Sequence, residues 1–208
     1  MIKVLIVDDH PVVRRGLKQI IEDEPDMEVA GEAKNAVECF ALVRRTPCTI
    51  VVLDITLPDR NGFDVLKQLK SEHPALPVLI LSVHPEDQYG LRFIKAGAAG
   101  YLMKEGAPEE LVVAIRKVHA GCKYVSASLA ERLVSRLGAL DKPPHENLSD
   151  REFQILCMIA AGKSLKGIAD KLCISEKTVS TYRRRILEKM KMSTNSDLIH
   201  YALENHLV

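Results

Sequence analysis

Acidic, hydroxyl and ammonium side chains stand at or just past the ends of four apolar runs: Asp8-Asp9 after IKVLIV, Asp54 closing TIVVLD, Ser82 closing PVLILS and Lys104 following AGYLM. A run fit for a buried strand that stops on Asp54 poses a physical problem, because a lone charged carboxylate is costly to bury and needs either an exposed strand end or a cation beside it. If the runs are neighbouring parallel strands, all of these groups meet at one sheet edge without being adjacent in sequence. Three carboxylates crowded there repel and raise one another's pKa unless a divalent cation and an ammonium offset them. Mg²⁺ suits such a cluster, since it takes a few oxygen ligands, keeps water and favours phosphate oxygens. A nucleophilic carboxylate beside Mg²⁺, a hydroxyl and a Lys has what transfer of a phosphoryl group to Asp requires, charge compensation and in-line positioning. The plainer role for Asp8, Asp9 and Asp54 is to cap the helices that follow them.

The elements that must position these groups are legible as alternation. Apolar runs at 2–7, 27–31, 49–54, 77–82 and 99–103 alternate with segments of helical period at about 11–23, 35–46, 62–72, 86–96 and 108–121. All the runs but the second are nearly continuous in apolar residues, as expected of strands covered on both faces. Five βα units in series predict a doubly wound α/β domain with a five-stranded parallel sheet, whose site lies at the carboxyl ends of the strands. After Gly121, SASLAERLVSRLGAL predicts one more amphipathic helix, and DKPPHEN (141–147) places two prolines and polar residues where no helix is expected. The expected division is therefore 1–121, a linker with a helical segment at 122–147, and an all-α four-helix domain at 148–208.

The composition, 47% hydrophobic and 27% charged over 208 residues, is that of a globular chain. No apolar stretch approaches the roughly 18 residues needed to span a bilayer. The N-terminus runs from a short apolar stretch straight into two acids, which is wrong for a secretory signal and makes the cytoplasm the expected location. Five cysteines (39, 48, 122, 157, 173), odd in number and without a CxxC pair, indicate neither a disulfide framework nor a zinc site, and are expected to be small buried apolar residues.

The net charge of +1 hides an asymmetry. Residues 1–122 hold 15 basic and 18 acidic side chains, residues 146–208 hold 10 and 8, and residues 176–191 hold six and two. A solvated helix face accounts for many such stripes, but the concentration also points to a polyanionic partner. Ser149-Asp-Arg-Glu152 is a capping box, Gly162 closes the helix it opens, a short helix follows at about 164–172, and Ser175 caps a longer one running to about 190. This layout is that of a helix-turn-helix. On its second helix Val179, Tyr182, Ile186 and Met190 recur at three- and four-residue spacing and should face the core. Lys177, Ser180, Thr181, Arg184 and Arg185 are left facing outward, where Arg forks onto guanine and hydroxyls reach bases or phosphates of a major groove. Lys163 or Lys166, at the start of the preceding helix, is placed to grip the DNA backbone. A protein-docking pair of helices would have the same spacing. A last helix at about 194–206 carries Leu198, Ile199, Tyr201, Ala202 and Leu203, more apolar surface than a small terminal helix must bury; the plainer role for it is to close a four-helix core.

Asp8-Asp9, Asp54, Ser82, Tyr101 and Lys104, with LPDRNG after Asp54, resemble the receiver domain of two-component response regulators over essentially all of residues 1–121. The segments LSDRE, GKSLKGIA and CISEKTVSTYRRRILEKM resemble the LuxR-type four-helix DNA-binding domain, so the whole chain resembles a response regulator of the NarL/FixJ class. Leu165 and Tyr182 depart from many members of that class, but the recognition-helix segment is similar to the GacA/UvrY branch, which shares the Tyr. The resemblance implies that Asp54 accepts a phosphoryl group from a sensor histidine kinase, and that Asp8, Asp9, Asp54 and the backbone carbonyl of Thr56 hold Mg²⁺. It further implies that Lys104 and Ser82 contact phosphoryl oxygens and that Tyr101 swings inward when Ser82 moves. Leu198, Ile199 and Ala202 would form the surface of a homodimer on double-stranded promoter DNA. Glu105 stands where many receivers have a cis-proline, which leaves the Lys104-Glu105 geometry open. An enzymatic alternative, a Mg²⁺-dependent aspartyl-phosphate phosphatase, commonly has a second Asp two residues past the first; Thr56 stands there instead. A DNA-binding protein whose receiver is never phosphorylated is the third reading, and the intact acidic set argues against it.

Overall fold

The computed structural model describes residues 1–137, 143–205 and 207–208, and its internal packing divides the chain into two units, Met1–Leu133 and Val134–Val208. In the first, strands β1 (Ile2–Val7), β2 (Met27–Ala33), β3 (Ile50–Asp54), β4 (Val78–Ser82) and β5 (Gly100–Met103) form one parallel sheet in the order β2-β1-β3-β4-β5. They alternate with helices α1 (Pro11–Glu22), α2 (Ala36–Arg45), α3 (Gly62–Glu72), α4 (Glu86–Lys95) and α5 (Ala107–His119). The doubly wound α/β expectation is met. Every residue of β3 and β4 is buried, which is why their sequences read as unbroken apolar runs. β2 lies at the sheet edge with only its two ends buried; this explains why its pattern was weak and why it runs two residues past the expected end, through Glu32, whose side chain faces solvent.

Local chemistry sets the helix starts. Asn35 and Asn61 cap α2 and α3 through their side chains, accepting from Glu38 N and Phe63 N, and Pro occupies a first-turn position of α1 and α5. The start of α3 is pressed onto the end of β3: a Cβ at Gly62 would lie 2.6 Å from Ile55 Cα and 2.8 Å from Asp54 O. Only glycine fits this approach.

After α5 the chain returns to the free edge of β5. Tyr101 N donates to Tyr124 O and Tyr124 N to Ala99 O, both at 3.0 Å. Ser126 and Ser128 donate to Glu86 at the start of α4, and Leu129, on helix α6 (Ala127–Leu137), is fully buried. The edge strand thus has no open ladder on this stretch. The expected sixth helix is present; its predicted residues 138–140, and residues 141–142 of the proline segment, lie outside the described residues. The proline segment itself needs a correction, because Pro144–Asn147 forms a 3-10 turn. Pro is tolerated at its start, where no backbone donor is required.

The second unit packs α7 (Asp150–Ala160), α8 (Leu165–Leu172), α9 (Glu176–Met190) and α10 (Asn195–Glu204) around Phe153, Leu156, Ile168, Val179, Ile186 and Leu198. Position 206, where the last helix was expected to end, lies outside the described residues. The capping box of α7 forms as expected, and its Glu152 is buried with Lys189 Nζ of α9 at 2.6 Å, so one carboxylate both opens α7 and pins α9. Gly162 (φ 77°) ends α7 in the left-handed conformation, and Cys173 (φ 51°) does the same after α8. The cysteine expectation holds for Cys39 and Cys157 only; Cys48 is half-buried, and Cys122 and Cys173, both at helix ends, are exposed. Burial pushes the Cys39 thiol up to about 12.

Gly62→Ala should destabilise the first unit by about 1–3 kcal/mol, because the new methyl meets backbone rather than a flexible side chain. Gly16→Ala, on the exposed side of α1 with nothing within 4 Å of the new methyl, should stabilise it by about 0.5–1 kcal/mol. Urea unfolding of the two variants beside the parent chain checks both signs; no penalty at Gly62 would show that the approach of α3 to β3 is not tight.

Candidate functional site

β1 and β3 are neighbours, while the chain after β1 returns to the opposite side at β2, so the carboxyl ends of β1 and β3 flank the point where the strand order reverses. Asp8 and Asp54 emerge there, and Lys104, in the 3-10 turn after β5 (Lys104–Gly106), reaches across to both. Its Nζ lies 2.6 Å from Asp8 Oδ2 and 2.8 Å from Asp54 Oδ2. Asp8 and Asp54 are 1% and 2% exposed, so this is a buried ion triad rather than a surface pair. Burial holds the Asp54 carboxyl above its usual range, Lys104 offsets part of that, and the neighbouring Asp8 adds to it. Burial alone would lower the Lys104 pKa, but its bonds to Asp54 and Asp8 win and the ammonium is held above its usual value. The peptide bonds of the described residues are all trans, including Lys104-Glu105.

The other oxygens at the site are held by backbone. Thr56 N donates to Asp54 Oδ1 at 3.2 Å, and Thr56 is fixed in a two-residue bridge with Asn61. His10 N donates to Asp8 Oδ1 at 2.7 Å, and Arg14 Nη1 donates to Asp8 O at 2.7 Å. Asp59, in the loop after β3, accepts from Ala36 N and Val37 N at the start of α2, which ties that loop to a second helix. Ser82 is buried beside the triad and accepts from His84 N at 2.9 Å. Tyr101 points inward, its hydroxyl donating to His84 O at 2.8 Å and its ring 6.2 Å from that of Phe93. Burial drives the Tyr101 hydroxyl far above its usual pKa, with Ser82 offsetting a part.

Donor atoms of Asp8, Asp9, His10 and Asp54 lie within 4.8 Å of one another, a group that could hold a metal ion. Asp9 Oδ1 is enclosed yet accepts no well-aligned hydrogen bond, although His10 Nδ1 lies 2.7 Å away. An enclosed carboxylate oxygen without an aligned donor fits a cation ligand. The sequence reading brought Asp8, Asp9, Asp54, Ser82, Tyr101 and Lys104 to this edge, and the structure places them together. It missed His10, Arg14 and Asp59. His10 carried a signal, an imidazole directly after an acidic pair; Asp59 carried none, since its partners are amides of α2.

In the second unit Lys177, Ser180, Arg184, Arg185 and Lys166 are exposed, and Thr181 is half-buried with its hydroxyl donating to Lys177 O at 3.0 Å. Lys163 is exposed in the turn before α8. Val179, Ile186 and Met190 are buried as expected, whereas Tyr182 is only half-buried. The α10 expectation needs correcting residue by residue. Leu198 and Ala202 are 0% exposed inside the unit's own core, so neither side chain reaches a partner; Ile199 is half-buried and Leu203 is 57% exposed. Tyr201, whose hydroxyl lies 2.7 Å from His145 Nδ1, is held on the domain's own 3-10 turn.

Residues 4–116 match the response regulator receiver domain family, and residues 146–202 match the family of bacterial regulatory proteins of the luxR type. The chain is a response regulator of the NarL/FixJ class. It is 38% identical over 210 residues to the response regulator GacA of Pseudomonas aeruginosa, covering 100% of this chain and 98% of that one. It is 34% identical over 209 residues to the response regulator UvrY of Escherichia coli K12, covering 100% and 96%. Among solved structures, RcsB of Salmonella enterica serovar Typhimurium, bound to the promoter P1flhDC in the presence of BeF3⁻, shares the fold with a TM-score of 0.67, at 24% identity and 96% and 97% coverage. This response regulator therefore joins a receiver to a LuxR-type DNA-binding domain and belongs to the two-component transcription regulators. Among the described residues no helix is long and apolar enough to cross a membrane.

Lys104→Met should cost about 3–5 kcal/mol, because it strands two carboxylates in a site built around one ammonium. Asp54→Asn removes one carboxylate, leaves the Asp8–Lys104 pair, and should be neutral or stabilising. Because folding raises the Asp54 pKa, the native state binds more protons than the unfolded chain and stability falls as pH rises through the interval between the two values. The advantage of Asp54→Asn should therefore grow as pH rises from below the ordinary Asp value and level off above the folded one. Denaturant titrations from pH 3.5 to 8 check this; an advantage that shrinks with rising pH would contradict an Asp54 pKa raised by burial.

Proposed function

We propose that Asp54 is the phosphoacceptor of this response regulator, and that its phosphorylation controls homodimerisation and DNA binding by α9. The observation that carries the reading is Lys104 Nζ, within 2.8 Å of buried carboxylates at the ends of β1 and β3. A desolvated carboxylate whose charge is partly offset by one ammonium is poised to attack phosphorus. As the P–N bond of a kinase phosphohistidine breaks, the P–O bond to Asp54 forms, and Lys104 and Ser82 turn to the incoming phosphoryl oxygens. Asp8, Asp9, Asp54 and the carbonyl of Thr56 are the groups that would hold Mg²⁺, which supplies charge neutralisation of the phosphoryl oxygens when bound. Thr56 and His84, two positions beyond Asp54 and Ser82, flank the path of attacking water and set how long the phosphoryl group survives. Chemistry is thus confined to self-catalysed transfer and hydrolysis at Asp54, with no separate substrate turned over.

The proposed division is a receiver at 1–121, a linker at 122–147 and an effector at 148–208. The outward residues Lys177, Ser180, Thr181, Arg184 and Arg185 read DNA, with Lys166 on a phosphate; six basic against two acidic side chains over 176–191 support this. Ile199 and Leu203, rather than Leu198 and Ala202, would form the dimer surface. A sensor histidine kinase and promoter half-sites are the partners, and the cytoplasm is the compartment. Phosphate binds one receiver state better than the other, and the population shifts accordingly.

Incubation with acetyl phosphate and Mg²⁺ should phosphorylate the parent chain and not Asp54→Asn, as read by intact mass; an unlabelled parent chain would end the phosphoacceptor reading. Arg184→Ala should weaken DNA binding on every sequence tested or relax one base position, with a cost of about 1–3 kcal/mol in the second case. If Arg184 grips phosphate instead, the slope of log affinity against log salt should fall by about 1. Unchanged affinity and slope in fluorescence anisotropy would remove Arg184 from the interface.

A further inference from the structure

His10 is not among the groups proposed above to hold Mg²⁺, yet its ring lies inside the acidic cluster. Its Nδ1 is 2.7 Å from Asp9 Oδ1 and 3.2 Å from Asp8 Oδ1. Nδ1 makes a hydrogen bond with Asp8 Oδ1, which a bound cation would replace, whereas the shorter contact with Asp9 Oδ1 lacks hydrogen-bond alignment. A short, misaligned N···O approach is the geometry of two lone pairs aimed at a common centre. Around a six-coordinate cation with ligand bonds of about 2.1 Å, adjacent ligand atoms are about 3 Å apart, and the two separations bracket that value. The donor atoms of Asp8, Asp9, His10 and Asp54 also fall within a 4.8 Å span. The residue is placed by backbone: His10 precedes α1, its amide donates to Asp8 Oδ1, and Arg14 holds the Asp8 carbonyl.

We infer that His10 Nδ1 is a ligand of the cation that Asp8, Asp9 and Asp54 hold, and that it tilts the site away from Mg²⁺ toward first-row transition ions such as Mn²⁺. Mg²⁺ is a hard cation that takes oxygen, whereas imidazole nitrogen suits the later divalent metals, so one nitrogen among carboxylates changes the ranking of ions more than the strength of the site. The inference rests on the acidic cluster being a cation site. His10 is the specificity-determining member, and its loss leaves the carboxylates in place. Because the side chain is 60% exposed, substitution there does not open the core.

Mn²⁺ titration followed by electron paramagnetic resonance, with Mg²⁺ as competitor, tests this on the full-length chain and on His10→Ala and His10→Asn. The parent should prefer Mn²⁺ over Mg²⁺ by roughly tenfold more than either variant, with Mg²⁺ affinity little changed. Pulsed measurement on the Mn²⁺-loaded parent should show a directly bound nitrogen that both variants lack. Equal Mn²⁺-to-Mg²⁺ ratios in all three proteins, or no nitrogen coupling in the parent, would overturn the role of His10 while leaving the carboxylate site standing. Failure of all three proteins to bind either ion would overturn the cation site itself.

Discussion

Two carboxylates buried side by side against one ammonium set the terms for the receiver. Asp8 and Asp54 are nearly inaccessible, and their mutual repulsion in a poorly solvated site is tolerated because Lys104 donates to both. The arrangement is one positive charge short of neutrality, with Asp9 beside it. A site with that deficit favours added positive charge. The rest of the fold is arranged so that neither carboxylate can relieve the strain by turning away.

Each carboxylate is fixed from several directions. Asp54 ends a strand whose five residues are all buried, and its Oδ1 accepts from Thr56 N. The loop beyond it is pinned by Asp59 on α2, by the Thr56–Asn61 bridge and by the close packing of Gly62. Lys104 is the exception. It sits in a single 3-10 turn after a four-residue strand, with its ammonium paired to both carboxylates. The two carboxylates thus stand at the ends of buried strands, and the ammonium on a short turn.

The strand ends were legible in sequence because burial on both faces forces apolar runs, and a carboxylate closing such a run stands out against it. Asp54 and Lys104 could be assigned to one edge without any long-range information, since parallel order alone brings carboxyl ends together. The edge strand β2 was blurred, because its five middle residues are only partly buried or exposed and Glu32 faces solvent. Leu198 and Ala202 were misjudged for the opposite reason. Helical spacing shows that a face is apolar, but not whether the domain's own helices already cover it; here α10 packs on α7 and the face is spent. The Asp59 clamp and the return of Tyr124 to β5 were invisible, as both are made with backbone amides and carbonyls that every residue has.

The two domains handle charge in opposite ways, and this limits how one can inform the other. The receiver buries opposed charges in contact, while α9 leaves Lys177, Arg184 and Arg185 in solvent, with the loose Arg184–Glu188 pair at 3.7 Å their one ion pair among the described residues. A phosphoryl group would add about two negative charges, whose field is screened within about 8 Å at physiological salt. Its effect beyond the site must then travel as displacement of packed groups. The contacts available for that begin at Ser82, whose hydroxyl holds His84 N, and continue through His84 O to the Tyr101 hydroxyl. Tyr101 is on β5, and its amide is bonded to Tyr124, the residue from which the chain enters α6. A movement of Ser82 would therefore pull on a continuous line of bonds ending at the segment before α6, and the Ser126 and Ser128 bonds to Glu86 tie that same segment to α4.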